Sequence, residues 1–287
     1  MGERLTVDEP APLFEFLVRR LDGWHRNTLR ERLREGCVRV NGETVTQRDH
    51  PLRGGDSVEV VARDEGAPRS PRPRGLDVLY VDEDLIAIDK PVGLLSVSTA
   101  RQRERTALAL VRSSLSRPGR PARLWPVHRL DRETSGVLLF ARSRETCEEL
   151  RGQWSQASKL YLAVVEGQPQ PGSGLIEEPL WEDPGLNVRV GRRPDAKDAR
   201  TGYRTLERAH GRTLLEVELG TGRRHQIRAH LAWLGCPVVG DERYGMRGPR
   251  MGLHAWRLRV PHPRGGRWLE LEAPVPAPFT ALLHEKG

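Results

Sequence analysis

Cysteine is scarce: Cys37, Cys147 and Cys236 are the three in 287 residues, far apart and without Cys-x-x-Cys spacing. That excludes a zinc ribbon or a disulfide framework and fits a reducing compartment. Long apolar runs are missing too. No stretch reaches the roughly 20 residues that span a bilayer. The amino terminus carries acidic and proline residues where a secretory signal needs an apolar core. The expectation is a cytoplasmic protein with no membrane attachment. Metal and dinucleotide motifs are also lacking, and His225 and His230, five positions apart, do not share a helical face. No metal and no cofactor are expected.

Positive charge, by contrast, is plentiful. Lys and Arg number 47 against 39 Asp and Glu, a net charge of +8 with a pI near 10.0, and most of it is arginine. The planar guanidinium fork suits bidentate phosphate contacts. Nucleic acid is therefore the first partner to consider. A GC-rich genome favours arginine as well, so charge alone does not decide.

The length allows a large domain and a small one. In the first 62 residues, Phe14, Leu17, Val18 and Leu21 recur at helical spacing. A second helix should start at Thr28, capped with Glu31, and stop at Gly36. Leu29 and Leu33 mark its buried face, with Arg26, Arg30, Arg32 and Arg34 on the remainder. A strand at 37–40, the hairpin turn Asn41-Gly42, a return at 43–45, and Gly54-Gly55-Asp56 before a strand at 57–61 complete the module. Over residues 13–62 this resembles the αL RNA-binding module of ribosomal protein S-four and of RNA-modifying enzymes. The resemblance implies that Arg26, Arg30 and Arg34 meet structured RNA. Residues 63–75, rich in Pro, Gly and Arg, read as a linker.

The remainder, 76–287, centres on the stretch 127–142. Residues 137–141 form an apolar run of strand length, covered on both faces. His128, Arg129, Asp131, Arg132 and Glu133 crowd against it, joined through Thr134-Ser135-Gly136. Charges fixed to a buried strand can hold a reactive group at a cleft; a solvated loop of paired charges is the alternative. Strands are expected at 78–81, 85–89, 159–167, 201–207, 213–219, 256–260 and 268–271, and helices at 106–115, 143–155 and 279–284. A helix after Gly220-Thr221-Gly222 carries Ile227, Leu231 and Leu234 as its apolar stripe. Arg228 borders that stripe, so its guanidinium is partly desolvated and wants an anion.

His128-Arg129-Leu130-Asp131 with Thr134-Ser135-Gly136 resembles the catalytic motif of the RluA-type pseudouridine synthases. Lys90-Pro91-Val92-Gly93-Leu94, the strand with Tyr161, and Gly222-Arg223-Arg224-His225-Gln226-Ile227-Arg228 are similar to further blocks of that family, in its order. So are Pro237-Val238-Val239-Gly240-Asp241, Tyr244-Gly245 and Leu253-His254-Ala255, and the matches run from about 77 to 285. The resemblance implies an α+β fold, a mixed and mostly antiparallel sheet with the cleft across its middle. It implies Asp131 as the catalytic carboxylate, Tyr161 stacked on a uracil taken out of its helix, and Arg228 as the salt-bridge partner of Asp131. Arg129, Arg223, His225 and Gln226 complete the expected RNA-contacting set, His225 and Gln226 also fixing the turn. Lys90 supports the wall, and Arg224 departs from the family's small hydroxyl residue. The implied activity is isomerisation of uridine in structured RNA by a bacterial monomer, with large-subunit ribosomal RNA the expected substrate and transfer RNA the alternative. A non-catalytic RNA-binding protein would show damage at Asp131, Tyr161 or Arg228, and none is seen. A glycosidase using Asp131 and Glu133 lacks a sugar-binding platform.

Overall fold

The computed structural model describes residues 3–21, 24, 26–34, 37–61, 76–98, 106–116 and 121–285. The expected linker, the helix stop at Gly36, and the side chains of Glu31 and Arg34 lie outside the described residues. The chain divides into two compact units, Met1–Ser70 and Pro71–Gly287.

In the smaller unit, helix α1 (Leu13–Arg20) buries Leu13, Phe16 and Leu17, and α2 (Arg26–Arg34) buries Leu29 and Leu33. These form one apolar cluster with Val38, Val40, Val58 and Val60 of the sheet beside them. The second helix begins at Arg26, two residues before the expected cap at Thr28. Burial of Leu29 and Leu33 on its apolar face supports the helix. The sheet runs β1 (Glu3–Thr6), β6 (Ser57–Val60), β3 (Val38–Val40), β4 (Glu43–Thr44). Two short strands, β2 (Ala11–Pro12) and β5 (Pro51–Leu52), pair beside it. Asn41 and Gly42 both take positive φ, 52° and 86°, as a two-residue hairpin turn matching the strand twist requires. Arg26 and Arg30 are exposed on α2, and the guanidinium groups of Arg30 and Arg48 lie over the Phe14 ring at 5.6 and 4.7 Å.

The larger unit is a mixed α/β fold on a ten-stranded sheet, ordered β12–β15–β16–β11–β17–β10–β8–β7 with β18 and β9 attached. The strands are β7 (Asp77–Val81), β8 (Leu85–Lys90), β9 (Trp125–Pro126), β10 (Ser135–Ala141), β11 (Ser158–Glu166) and β12 (Ser173–Ile176). They continue with β15 (Thr201–Ala209), β16 (Arg212–Leu219), β17 (Leu253–Pro261) and β18 (Trp268–Glu272). Every pairing among them is antiparallel except β10 with β17. A separate hairpin, β13 (Leu180–Glu182) with β14 (Val188–Val190), stands outside this sheet. The helices are α3 (Ala107–Leu115), α4 (Arg144–Gly152), α5 (Gln226–Trp233) and α6 (Ala277–His284). The expected helix at 143–155 ends at Gly152 and gives way to a 3-10 turn, Trp154–Gln156. No helix among the described residues is long and apolar enough to cross a membrane.

Strand β10 is buried at every residue because both its faces are covered. Val137, Leu139 and Ala141 join one apolar cluster, while Leu138 and Phe140 join another. Each fully buried leucine or phenylalanine there contributes about 1.5–3 kcal/mol. At its start, Ser135 and Gly136 lie in parallel register with His254 and Ala255. Gly136 has φ +113°, and a Cβ there would sit 2.1 Å from the Ala255 carbonyl oxygen. Only glycine lets the two strands meet at that point.

Candidate active site

Asp131 opens a turn closed by the Thr134 N–H donating to its carbonyl at 3.2 Å. Residues on both sides of it are tied down. The Lys90 side chain is fully buried, and its Nζ donates to Pro91 O, Leu94 O and Arg132 O at 2.9, 2.8 and 3.1 Å. Burial pulls its pKa down to about 8, against the opposing pull of Glu133, Asp131 and Asp89. Ser96 Oγ donates to Leu130 O and accepts from Leu130 N, at 2.7 and 3.0 Å. His128 Nε2 accepts from Leu139 N at 3.1 Å. Burial, with Lys159 nearby, lowers that imidazole to about 4, so it is neutral and fit to accept. The support by Lys90 agrees with the sequence reading. Ser96 gave no sequence signal, since its partner is 34 positions away.

Arg228 comes to Asp131 from the first turn of α5. Its Nη1 donates to Asp131 Oδ2 at 3.0 Å, while Nε and Nη2 donate to the two oxygens of Asp241 at 2.7 and 2.8 Å. Burial weakens the guanidinium's charged form, but Asp241 and Asp131 more than offset this, and its pKa rises. Asp241, whose side chain is fully buried, also accepts from the backbone N–H of Arg243 and Tyr244. The Tyr244 ring lies against the Arg228 guanidinium, 5.2 Å from centroid to Cζ. The other oxygen of Asp131, Oδ1, has no hydrogen-bond partner among the described residues.

His225 sits in left-handed backbone, φ 49°, directly before α5. Its Nδ1 is 3.0 Å from the Tyr244 hydroxyl and its Nε2 is 3.7 Å from Asp131 Oδ2. Burial lowers this imidazole to about 4; Asp131 opposes the shift, and Arg228, Arg224 and Arg243 reinforce it. At neutral pH it is uncharged, so its approach to Asp131 is not an ion pair. Tyr161 is half-buried, and burial, then the Asp131 charge, raises its phenol well above the ordinary value.

These groups surround a cleft of about 450 Å³, in the size range of small-molecule sites. Arg129, Asp131, Tyr161, Arg223, His225 and Arg228 line it. Arg129 is exposed and has no side-chain partner among the described residues. Arg223 is exposed and donates to Asp198 O at 3.1 Å. Arg224 is paired with Glu182 of β13 at 2.9 Å, so the departure from the family pattern ties the hairpin to the cleft's rim. Gln226 fixes the turn, as the sequence reading also had it. It borders the cleft but is 2% exposed. Its Oε1 accepts from Thr221 and Arg223, and its Nε2 donates to Arg200 O and Thr201. Its amide is engaged within the protein and holds the turn. Arg26 and Arg30 belong to the smaller unit.

One group of three potential metal donors occurs among the described residues: Asp82, Asp84 and His262. None of them lines the cleft. His262 Nε2 meets Asp82 Oδ2 at 2.6 Å, and Arg264 pairs with Asp84 at 2.7 Å, so the donors are already committed to one another and to a guanidinium.

A family model described as RNA pseudouridylate synthase matches residues 84–233. The ribosomal large subunit pseudouridine synthase D of Nitrosomonas europaea is 34% identical, over 94% of this chain and 83% of its own. That of Xanthomonas campestris is 37% identical, over 90% and 83%. An uncharacterized RNA pseudouridine synthase of Bacillus subtilis, YlyB, is 33% identical over 94% and 92%. Among solved structures, human RNA pseudouridylate synthase domain containing 4 superposes with a TM-score of 0.60 at 25% identity, covering 71% of this chain and 90% of that one.

Proposed function

The chain belongs to the RNA pseudouridylate synthase family, and from that premise we propose that it isomerises uridine to pseudouridine in large-subunit ribosomal RNA, with Asp131 as the reacting carboxylate. The observation that carries the assignment of Asp131 is its contact with Arg228, 3.0 Å, inside a cleft that Tyr161 also lines. Two relatives named for large-subunit RNA, each similar over nine-tenths or more of the chain, support the choice of RNA.

The reaction breaks the bond between ribose C1′ and uracil N1 and forms one between C1′ and C5. The C5 proton leaves, and N1 gains one. Nothing is added or lost overall. The Asp131 carboxylate serves this either as nucleophile at C1′ or as acceptor of a sugar proton, with Arg228 fixing where its oxygens point. Burial and the Asp131 charge favour the protonated Tyr161 phenol, which supplies a stacking face and an O–H able to take part in proton transfer. Taking the base out of a helix costs a few kcal/mol, offset by stacking and phosphate contacts. Arg129, exposed at the cleft and without a side-chain partner among the described residues, is the candidate to hold the extruded nucleotide or fill its place. In the smaller unit, exposed Arg26 and Arg30 support a role in docking structured RNA, as an αL module would.

The test is tritium release from C5 of labelled uridine, in large-subunit ribosomal RNA and in transfer RNA, by wild type and Asp131→Asn. Release from ribosomal RNA by wild type alone is the expected result. Equal release by both proteins removes Asp131 from the chemistry, and release from transfer RNA alone moves the substrate.

A further inference from the structure

Beside the cleft lies a second cavity of about 210 Å³. Arg129, Tyr161, Leu219 and Gly222 form the wall the two share. It lies where β10, having met β17 only at Ser135 and Gly136, parts from it. Val127, Val137, Ala255 and Leu258 give it an apolar floor. Lys159 and Tyr161 of β11 sit opposite Leu258 and Ala255. Two residues along a strand cover about 6.6–6.8 Å and point to the same face. The register against β17 shifts between Leu160 and Tyr161, and both Lys159 and Tyr161 line the cavity.

Lys159 is the unusual member. It is 6% exposed, yet its ammonium makes one hydrogen bond, a long one of 3.4 Å to Trp154 O, and lies 5.8 Å from the centre of the Trp154 ring. It has no ion pair among the described residues. An ammonium carries three donors, so this one has donors to spare in a place where an unpaired charge is costly. Arg129 on the shared wall likewise has no side-chain partner among the described residues, whereas Arg257 at the rim is held by Glu272 at 2.8 Å. His128, stacked on Trp154 at 5.0 Å and neutral, adds no competing charge. At about 30 Å³ per water in the liquid, the cavity has room for an anion the size of a phosphate.

We propose that this cavity is a phosphate subsite for the substrate strand, in which the phosphodiester next to the target uridine is held between Lys159 and Arg129. The identity of the strand rests on the pseudouridine synthase reading; the anion site rests on the cavity and its uncommitted cations.

The test uses the full-length protein, fluorescein-labelled pentauridine, and the same oligomer with uncharged methylphosphonate linkages. Binding is read by anisotropy across a salt series. Lys159→Gln should weaken the charged oligomer about tenfold. It should also reduce the slope of log K against log salt by about 0.7. Lys159→Arg should retain most of the affinity, and the uncharged oligomer should bind wild type and Lys159→Gln alike. Lysine occurs only at 90, 159, 197 and 286, so wild-type protein labelled with nitrogen-15 at lysine side chains gives a second readout that no folding defect can confound. The Lys159 resonance, assigned through Lys159→Arg, should move on addition of pentauridine. Equal affinities and salt slopes, or a Lys159 signal unmoved at saturation, overturns the subsite. A loss equally large with the uncharged oligomer overturns phosphate as the ligand. Failure of the catalytic reading shows differently: no tritium release, with these binding effects intact.

Discussion

Asp241 grips Arg228 through both carboxylate oxygens, at 2.7 and 2.8 Å, and so leaves a single guanidinium nitrogen turned to Asp131 at 3.0 Å. The aim of the arginine is thus set by a buried acid that itself does not line the cleft. Asp241→Asn keeps the shape but removes the charge and one pair of acceptor sites. Turnover should fall about a hundredfold, the scale of a 1 Å misplacement, with KM for RNA changing little. A loss confined to KM means that Asp241 acts on binding instead.

Arg228 itself separates chemistry from affinity. Arg228→Lys retains charge but loses the planar fork that grips Asp241 through two nitrogens while a third reaches Asp131, and Arg228→Met removes the group altogether. Both should lose at least about a hundredfold in tritium release, while pentauridine affinity stays within about twofold. A large drop in affinity identifies Arg228 as a phosphate contact.

The meeting of β10 and β17 depends on one missing side chain. Gly136→Ala brings a Cβ to 2.1 Å from the Ala255 oxygen, in a backbone region that alanine disfavours. Overpacking and strain together should destabilise the fold by about 3 kcal/mol or more. Urea unfolding measures this, and a variant within about 0.5 kcal/mol of wild type shows that the strands can separate freely there.

Acid should weaken the larger unit before its carboxylates titrate. Burial lowers His128, His225 and His254 each to about 4, from an ordinary value of 6.5. Well above pH 6.5 these rings are neutral in both folded and unfolded chains, and there they contribute little to pH dependence. Between about 6.5 and 4 the unfolded chain binds more protons, so stability falls as pH falls. For fully buried His254 the loss is on the order of 3 kcal/mol across that window. Urea midpoints measured from pH 7 to 4.5 should decline, and His254→Gln should flatten the decline; a flat wild-type profile contradicts the burial of these rings.

Local pattern carried much of this architecture. The run at 137–141 announced a strand covered on both faces, and Asn41-Gly42 announced its hairpin, because apolar period and turn chemistry are written in adjacent residues. Arg228 was legible as a desolvated arginine from its place beside the Ile227 and Leu231 stripe. Asp241 and Ser96 were not legible as supports, because each works through a partner that only the folded chain brings near. The short strands Glu3–Thr6, Ser173–Ile176, Leu180–Glu182 and Val188–Val190 also escaped. They have too few residues to show alternation and are held by their neighbours in the sheets. Gln226 sits in a motif full of cations, yet its amide is spent on Thr221, Arg223, Arg200 and Thr201.

Strands β10 and β11 never pair with each other; β17 lies between them and is the seam that joins the two halves of the sheet. Asp131 precedes β10, and Tyr161 belongs to β11, so the acid and the aromatic ring stand on opposite sides of a gap until residues 253–261 arrive to fill it. Every cleft-lining arginine precedes residue 253 in the chain, so the cationic wall and the strand that holds Asp131 beside Tyr161 come from separate stretches of sequence.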